Sequence, residues 1–443
     1  MCAKIAVIGL GQGGAVAALK LKEAGHDVSI FEKEERGKVS YDWQDDIRSD
    51  IFELCDIGMP PKDAYCQKRR WLFVSPDWKG SLPVPPLPPM EEISIYRRGL
   101  SNYFADLLEK AGCKLHFSSP VDGLLIEDDK VAGIRLGDES ERFDLVIDAS
   151  GMRSPFRAQV PKRYLVQAQP EDEGVLYGYR AFYERAEGKD TLEEGIECTM
   201  SLKQLGEEGI SWCNLVAPDR VDVLIGRIKE LSDIGRERAV KDLANHCQIL
   251  TDNLYFGQNV EVCLRATIPL GIANGYVAIG DSAFMTMPLM GSGIEASMKA
   301  GKLFADMMGG NEKFDAPSLY VFWREYMQKY GADFAFIDVL KRWALSLPPK
   351  TLDWVFEGGL IEKSDLALIS TDDSANKPKL KASSIFKKIG LLLCKPKIVC
   401  GAVGCVTRAL KAKKCCKHMP KRYDLKKLAK WSVKYNKRIG AAK

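Results

Sequence analysis

The segment Lys4-Ile5-Ala6-Val7-Ile8, running straight into Gly9-Leu10-Gly11-Gln12-Gly13-Gly14, constrains this chain more than any other feature. A short apolar run of this kind, closed by glycines, reads as a strand buried in a parallel sheet. The stretch Ala15 to Ala24 has a helical pattern and stops at Gly25. A second strand, Asp27-Val28-Ser29-Ile30-Phe31, ends on Glu32. In such a unit Gly9 permits the tight turn, Gly11 lets backbone approach a pyrophosphate, and Gly14 lets helix and strand pack closely. The helix N-terminus then holds the anion. An acid placed like Glu32 accepts hydrogen bonds from ribose hydroxyls, which favours FAD or NAD over NADP. Gly9, Gly11, Gln12, Gly13, Gly14, Glu32 and the adjacent Lys33 are therefore candidate cofactor-binding residues.

Two distant segments repeat the strand-into-turn logic. Phe143 to Asp148 is a strand entering Ala149-Ser150-Gly151, and Gly275 to Ile279 is a strand entering Gly280-Asp281-Ser282-Ala283. Pro288 and Gly291-Ser292-Gly293-Ile294 follow, and a helix begins there. Together with the N-terminal loop, these segments resemble the flavoprotein superfamily of para-hydroxybenzoate hydroxylase and geranylgeranyl reductase. The resemblance covers roughly residues 4–365. It implies that FAD is the cofactor, that Asp281 meets its ribitol chain, and that Gly291, Gly293 and Ile294 approach the flavin ring and pyrophosphate. It also adds Arg97, at the start of an amphipathic helix carrying Leu100, Phe104, Leu107 and Leu108, and Val121 on the adenine side. Ala149, Gly151, Gly280 and Pro288 complete the expected cofactor set. A second complete strand–loop–helix–acid unit is lacking, so the electron donor is expected to be external, either NAD(P)H or a redox protein.

Between these motifs, Trp71 to Val74, Val175 to Tyr179, Cys198 to Met200 and Val221 to Ile225 alternate in period two with Gly and Pro punctuation, as antiparallel strands do. The superfamily has a sheet here that forms a wall over the flavin. Its reductases carry an aromatic strand lining a lipid tunnel; this chain keeps one of those aromatics, Trp212, a candidate substrate-binding residue alongside the alternative of an ordinary core tryptophan. Many of the reductases also have a cysteine-containing turn after the second strand. Here Tyr41-Asp42-Trp43-Gln44-Asp45-Asp46-Ile47 stands instead, to be read either as facing substrate or as a helix N-terminus with acids set for its dipole. The missing cysteine leaves the substrate class open, and no catalytic acid is assigned.

The expected architecture is α/β: a Rossmann-like FAD-binding domain (1–70, 96–164 and 268–312) with an inserted antiparallel β-sheet substrate domain (71–95 and 165–267) and a C-terminal helical region (313–376). A basic amphipathic tail (377–443) follows. The function expected from the resemblance is reduction of C=C bonds in a hydrophobic isoprenoid or lipid by hydride from reduced flavin. A flavin monooxygenase acting on an aromatic or lipid is the alternative.

Charge separates the tail from the rest. From Lys377 onward the chain has 21 Lys and Arg against one acid, Asp424, while the whole chain is only +4. Basic residues beside Leu425, Leu428, Trp431, Val433 and Tyr435 describe an interfacial segment on an anionic membrane. No nucleic-acid reader motif accompanies the charge, so nucleic acid is not expected as a partner. The stretch Ile389 to Val406 is interrupted by Lys395-Pro396-Lys397 and is too short and charged to span a bilayer. Thirteen cysteines scattered singly or in non-standard spacing read as free thiols of a reducing compartment, with no metal site expected. The expectation is a cytoplasmic protein, peripheral on the inner membrane face.

Overall fold

The computed structural model describes residues 2–84, 91–169, 174–289, 291–358 and 395–441. Much of the proline cluster at 83–89 and the tail residues 377–394 lie outside them.

The opening apolar run forms β1 (Lys4–Ile8), and the helical pattern forms α1 (Gln12–Glu23). β1 sits between two parallel partners, β2 (Asp27–Phe31) and β12 (Leu145–Asp148). β8 (Lys114–His116), β18 (Ile272–Ala273) and β19 (Tyr276–Ala278) complete a six-stranded sheet in the order β18-β19-β12-β1-β2-β8. Strands from residues 4 and 276 are thus two positions apart, and their C-terminal ends carry all three glycine-rich turns. Buried on both faces, β1 and β12 have no polar alternation, as a parallel sheet covered by helices requires. The covering helices are α1, α3 (Arg97–Lys110) and α5 (Ile294–Met308). A small sheet of β9 (Gly123–Glu127), β10 (Lys130–Leu136) and β11 (Glu139–Arg142) leads into β12.

The second large sheet has seven strands in the order β17-β13-β16-β15-β14-β5-β6. They are β17 (Leu250–Cys263), β13 (Val175–Arg185), β16 (Arg220–Arg227), β15 (Gly209–Ala217), β14 (Cys198–Leu202), β5 (Trp71–Val74) and β6 (Ser81–Val84). All pairs are antiparallel except β14 with β5. Alternation sorts its residues. Ala181, Val221, Val223, Ile225 and Cys213 pack under α4 (Asp233–His246), while Phe182, Leu224, Val260 and Trp212 form the opposite face.

β3 (Gln44–Arg48), β4 (Tyr65–Gln67) and β7 (Glu92–Tyr96) form a separate three-stranded sheet. Residues 92–95, expected in the substrate sheet, belong here instead: Ile93 and Ile95 register against Ile47 and Asp45. The segment after Trp43 is thus a strand, not a helix start; a four-residue helix, α2 (Ile51–Leu54), comes only after Asp50.

α6 (Ala316–Tyr326) continues through a π-helical turn, Met327–Gly331, into α7 (Ala332–Ser346), and α8 (Pro349–Glu357) follows. The basic tail then forms a hairpin of two helices, α9 (Pro396–Lys417) and α10 (Leu425–Ile439). This hairpin corrects the interfacial expectation for α10. Leu428, Trp431, Tyr435 and Ile439, the side expected to meet lipid, are buried in the same core as β1. The Tyr435 hydroxyl donates to the Thr267 carbonyl at 2.8 Å and the Trp431 indole to the Cys415 carbonyl at 3.0 Å. Cys405, Ala409, Ala412 and Cys416 of α9 are buried too, and Gln328 caps the Lys417 carbonyl. An amphipathic pattern says that a helix has an apolar face, not what that face meets. Among the described residues, no helix is long and apolar enough to cross a membrane.

Candidate functional site

The site is built where β1, β2, β12 and β19 end. Gly9 has φ of +88°, and a Cβ there would stand 2.8 Å from the Ala149 carbonyl oxygen, so the turn admits no other residue without displacement. At Gly14 a Cβ would stand 2.5 Å from that of Ala149 and 3.0 Å from Val7. This is the close helix–strand approach expected of the last glycine. α1 starts at Gln12 with no side-chain cap and no acid in its first turn, which suits an anionic group at its N-terminus. Glu32 is 7% exposed; its carboxylate accepts from the Leu10 amide at 2.8 Å and the Glu34 amide at 2.9 Å. These bonds fix it at the end of β2, facing the glycine loop. Lys33 lies at the exposed rim, 3.8 Å from Glu34. The Ser119 amide donates to the Glu32 carbonyl, bringing the segment that holds half-buried Val121 beside this end of the sheet.

The other two turns are locked together by Asp148, a fully buried carboxylate that the sequence reading passed over. It accepts from Ser154 at 2.5 Å, Ser150 at 2.6 Å and the Tyr276 hydroxyl at 2.7 Å. Its carbonyl accepts from the Ile279 amide and the Ser282 hydroxyl. Arg157, equally buried, donates to the carbonyls of Ser282 and Met152 and lies over Phe284. Ala149 and Gly151 are thereby fixed against Gly280. Within the otherwise buried run from Tyr276 to Pro288, Asp281 alone is exposed. Its Oδ1 accepts from Thr286 at 2.6 Å and would lie 3.0 Å from a Cβ on Gly293. Gly293 caps α5, which begins at Ile294, and Gly291 turns with φ of +67° against Val262.

Arg97 opens α3 and donates to Asp45 at 2.9 Å, with its backbone amide on the Trp43 carbonyl. Its Nε is buried with no hydrogen-bond partner, a donor that a ligand atom would satisfy. From Arg97 a ladder of alternating cations and rings crosses to the seven-stranded sheet. Arg97 lies 5.6 Å from the Tyr41 ring, and Tyr41 stacks on Trp43 at 4.2 Å. Arg180 lies 4.6 Å from Trp43 and 5.3 Å from Trp212, which meets Trp71 edge-on at 5.8 Å. Arg180 is 5% exposed and held by Asp222 at 2.8 Å and Asp45 at 2.9 Å. Burial works against its charge, but these two carboxylates more than restore it. For Asp45 burial alone would raise the pKa, yet Arg180 and Arg97 hold it below the usual carboxylate range. Burial raises the Tyr41 phenol, with Arg97 opposing and Asp281, Asp45 and Glu261 adding to it. Tyr41 therefore stands within the field of both Asp281 and the end of β17. The segment in the place of the missing cysteine turn faces the crease between the two sheets.

The Arg180–Asp222–Asp45 cluster was missed although its signal was present. Arg180 shares a strand face with Gly178 and Phe182, and Asp222 shares one with Leu224. A charge at an inward position of an alternating strand calls for a buried partner. The carboxylate at the end of β2, the uncapped helix, the exposed Asp281 and the orphaned Arg97 Nε fit an FAD laid along the crease.

No protein-family model matches the chain. It is 25% identical over 343 residues to digeranylgeranylglycerophospholipid reductase 2 of Methanococcoides burtonii, covering 68% of this chain and 74% of that one. It is 27% identical over 322 residues to the digeranylgeranylglycerophospholipid reductase of Methanosarcina mazei, covering 68% and 73%. The chain is similar in sequence to geranylgeranyl reductases. The resemblance carried by the three glycine-rich turns is thus borne out. Among solved structures, a geranylgeranyl bacteriochlorophyll reductase-like protein from Thermoplasma acidophilum superposes with a TM-score of 0.69 at 18% identity, over 88% of this chain and 96% of that one. The flavin-dependent brominase Bmp2 superposes with a TM-score of 0.61 at 15% identity, over 90% and 100%. These likenesses establish the fold, and a fold of this kind carries several chemistries.

Proposed function

We propose that the chain is an FAD-dependent oxidoreductase that saturates C=C bonds of a hydrophobic isoprenoid or lipid substrate. The observation that carries this reading is the convergence of Glu32, Arg97, Asp281 and the uncapped α1 at one crease, opposite an aromatic sheet face. It is supported by curated relatives named as reductases of a prenylated phospholipid.

When bound, FAD supplies the hydride chemistry; the protein binds, orients and excludes water. Glu32 would accept from the cofactor's ribose hydroxyls, the first amides of α1 would hold its pyrophosphate, and Asp281 would accept from its ribitol. Gly9, Gly13 and Gly14 let the turn and α1 close on Ala149, Val7 and the start of α5, which brings the helix N-terminus to the crease. Arg97 offers Nε to the cofactor while Asp45 holds its other end. Trp212, with Trp71 and Phe182 beside it, gives the apolar wall on which a hydrocarbon chain lies dry. On this reading electrons come from an external donor, NAD(P)H or a redox protein, and a lipid substrate is met at an anionic membrane surface.

The test is anaerobic turnover of a polyprenyl lipid with a chemically reduced carrier. The reading expects two hydrogen atoms gained per double bond by mass spectrometry. Substrate-stimulated, oxygen-dependent NAD(P)H consumption without that gain would replace it with a monooxygenase.

A further inference from the structure

With the apolar side of α10 buried on the body, the outward surface of the C-terminal hairpin is different from the one its sequence pattern suggests. On α9 the spacing 399, 403, 406, 410 puts four apolar residues on one stripe. Val403 is 62% exposed, Val406 43% and Leu410 55%, while Cys405, Ala409 and Ala412 on the opposite side are buried. The same stripe continues at its C-terminal end into Lys414 and Lys417, both exposed. α10 turns outward only Val433, 70% exposed, among Lys426, Lys430, Lys434 and Lys437. Asp424 is the one acid of the described hairpin, and it is engaged in capping α10 through the Lys427 amide.

We infer that this outward surface docks the protein on an anionic lipid bilayer, the α9 ridge of Val403, Val406 and Leu410 entering the headgroup region while the α10 lysines meet lipid phosphates. This rests on the proposed lipid substrate and names the partner surface for it. Charge complementarity selects an anionic partner, since among the described residues the hairpin carries no acid other than the capping Asp424 to balance these lysines. The exposed valine–leucine ridge selects a bilayer over nucleic acid, because phosphodiester offers an apolar ridge no partner, whereas an interfacial helix needs one. Docking is by a preformed surface: α9 and α10 already lie on α7, with Lys413 paired to Asp333 and Cys416 Sγ against the Gly331 carbonyl. Binding therefore does not require the hairpin to fold at the membrane.

The experiment uses the full chain, loaded with FAD, and vesicles of phosphatidylcholine alone or with about 30% phosphatidylglycerol. Wild type is expected to sediment with anionic vesicles and at least about tenfold less with neutral ones. Lys430→Glu with Lys434→Glu lowers that partition by about tenfold or more, as does Val403→Asp with Leu410→Asp. All four positions are exposed, so flavin absorbance and thermal midpoint stay at wild-type values and show that each variant is folded. Equal binding to both vesicle types, or ridge variants that bind like wild type, overturns the proposal. So does loss of vesicle binding to competing duplex DNA at equal phosphate concentration, which points to a nucleic-acid surface. Turnover of a detergent-dispersed polyprenyl substrate separates the two claims. Normal vesicle binding without any reduction defeats the reductase reading alone, and reduction without vesicle preference defeats the docking surface alone.

Discussion

The glycine-turn end of the six-stranded sheet and the C-terminal hairpin are both helix-bearing, yet their sequences inform in opposite ways. At the sheet end, function is written in backbone: Gly9 and Gly14 are required because a Cβ would meet Ala149, and a short motif reports that directly. In the hairpin, the motif is only an amphipathic period. Its apolar side fits a bilayer or a protein core equally well, and here the core wins because Thr267, Cys415 and α7 are within reach of Tyr435 and Trp431. Local constraint is legible from local sequence; the identity of a distant partner is not.

The sharpest way to break this contrast is to treat the tail as dispensable. Removing residues 395–441 strips cover from the core around Phe334 and Val339, and soluble folded protein is expected to be lost. A point version is Trp431→Ala, which removes a 7%-exposed indole and its hydrogen bond and costs about 3–5 kcal/mol in denaturant unfolding. A tail that merely rests on the surface would give a change within about 0.5 kcal/mol. Next comes Asp222→Ala, which leaves Arg180 buried with Asp45 as its remaining carboxylate and costs about 3 kcal/mol. Adding Arg180→Met recovers most of the loss if the penalty is the unpaired charge.

At the sheet end the expected effects fall on the cofactor more than on the fold. Gly9→Ala forces a side chain into φ of +88° against a carbonyl 2.8 Å away. It is expected to cost about 1–3 kcal/mol and to yield protein that folds but fails to retain flavin in gel filtration. Glu32→Gln keeps the fold and removes charge-assisted acceptance from ribose hydroxyls. FAD affinity by fluorescence titration should drop roughly tenfold, about 1.5 kcal/mol. An unchanged affinity would remove Glu32 from the site.

Fold class and the three glycine-rich turns were legible because each of their elements is specified within about 30 residues. β1 and β2 are where the pattern put them, and α1 starts three residues earlier than its pattern, at Gln12. What stayed hidden depends on register between distant strands. Tyr41 and Trp43 could be read as polar-aromatic but not as a strand entry stacked beneath Arg97 and Arg180, since that needs β3 to pair with β7 and β13 to lie opposite. Asp148 was visible inside its turn, yet its hub role needs Tyr276, 128 residues away.

The smallest effect tests the same distinction inside a single strand, where Asp45 and Asp46 are adjacent but face opposite sides of β3. Asp45 is paired with two arginines. Asp46 has one oxygen on the Ser94 hydroxyl at 2.5 Å and the other buried without a hydrogen-bond partner. Burial pushes its pKa above the usual value, with Lys68 and Ser94 opposing only in part. A raised acid pKa means the folded state holds a proton that the unfolded state has released, so stability falls as pH rises from the ordinary carboxylate range towards the folded pKa. Asp46→Asn replaces the acid by a neutral side chain of the same size and removes that slope. At neutral pH the variant is expected to be as stable as wild type or up to about 1 kcal/mol more stable. Urea midpoints across the acid-to-neutral range check this, and parallel curves for the two proteins would mean that Asp46 is solvated rather than enclosed beside Ser94.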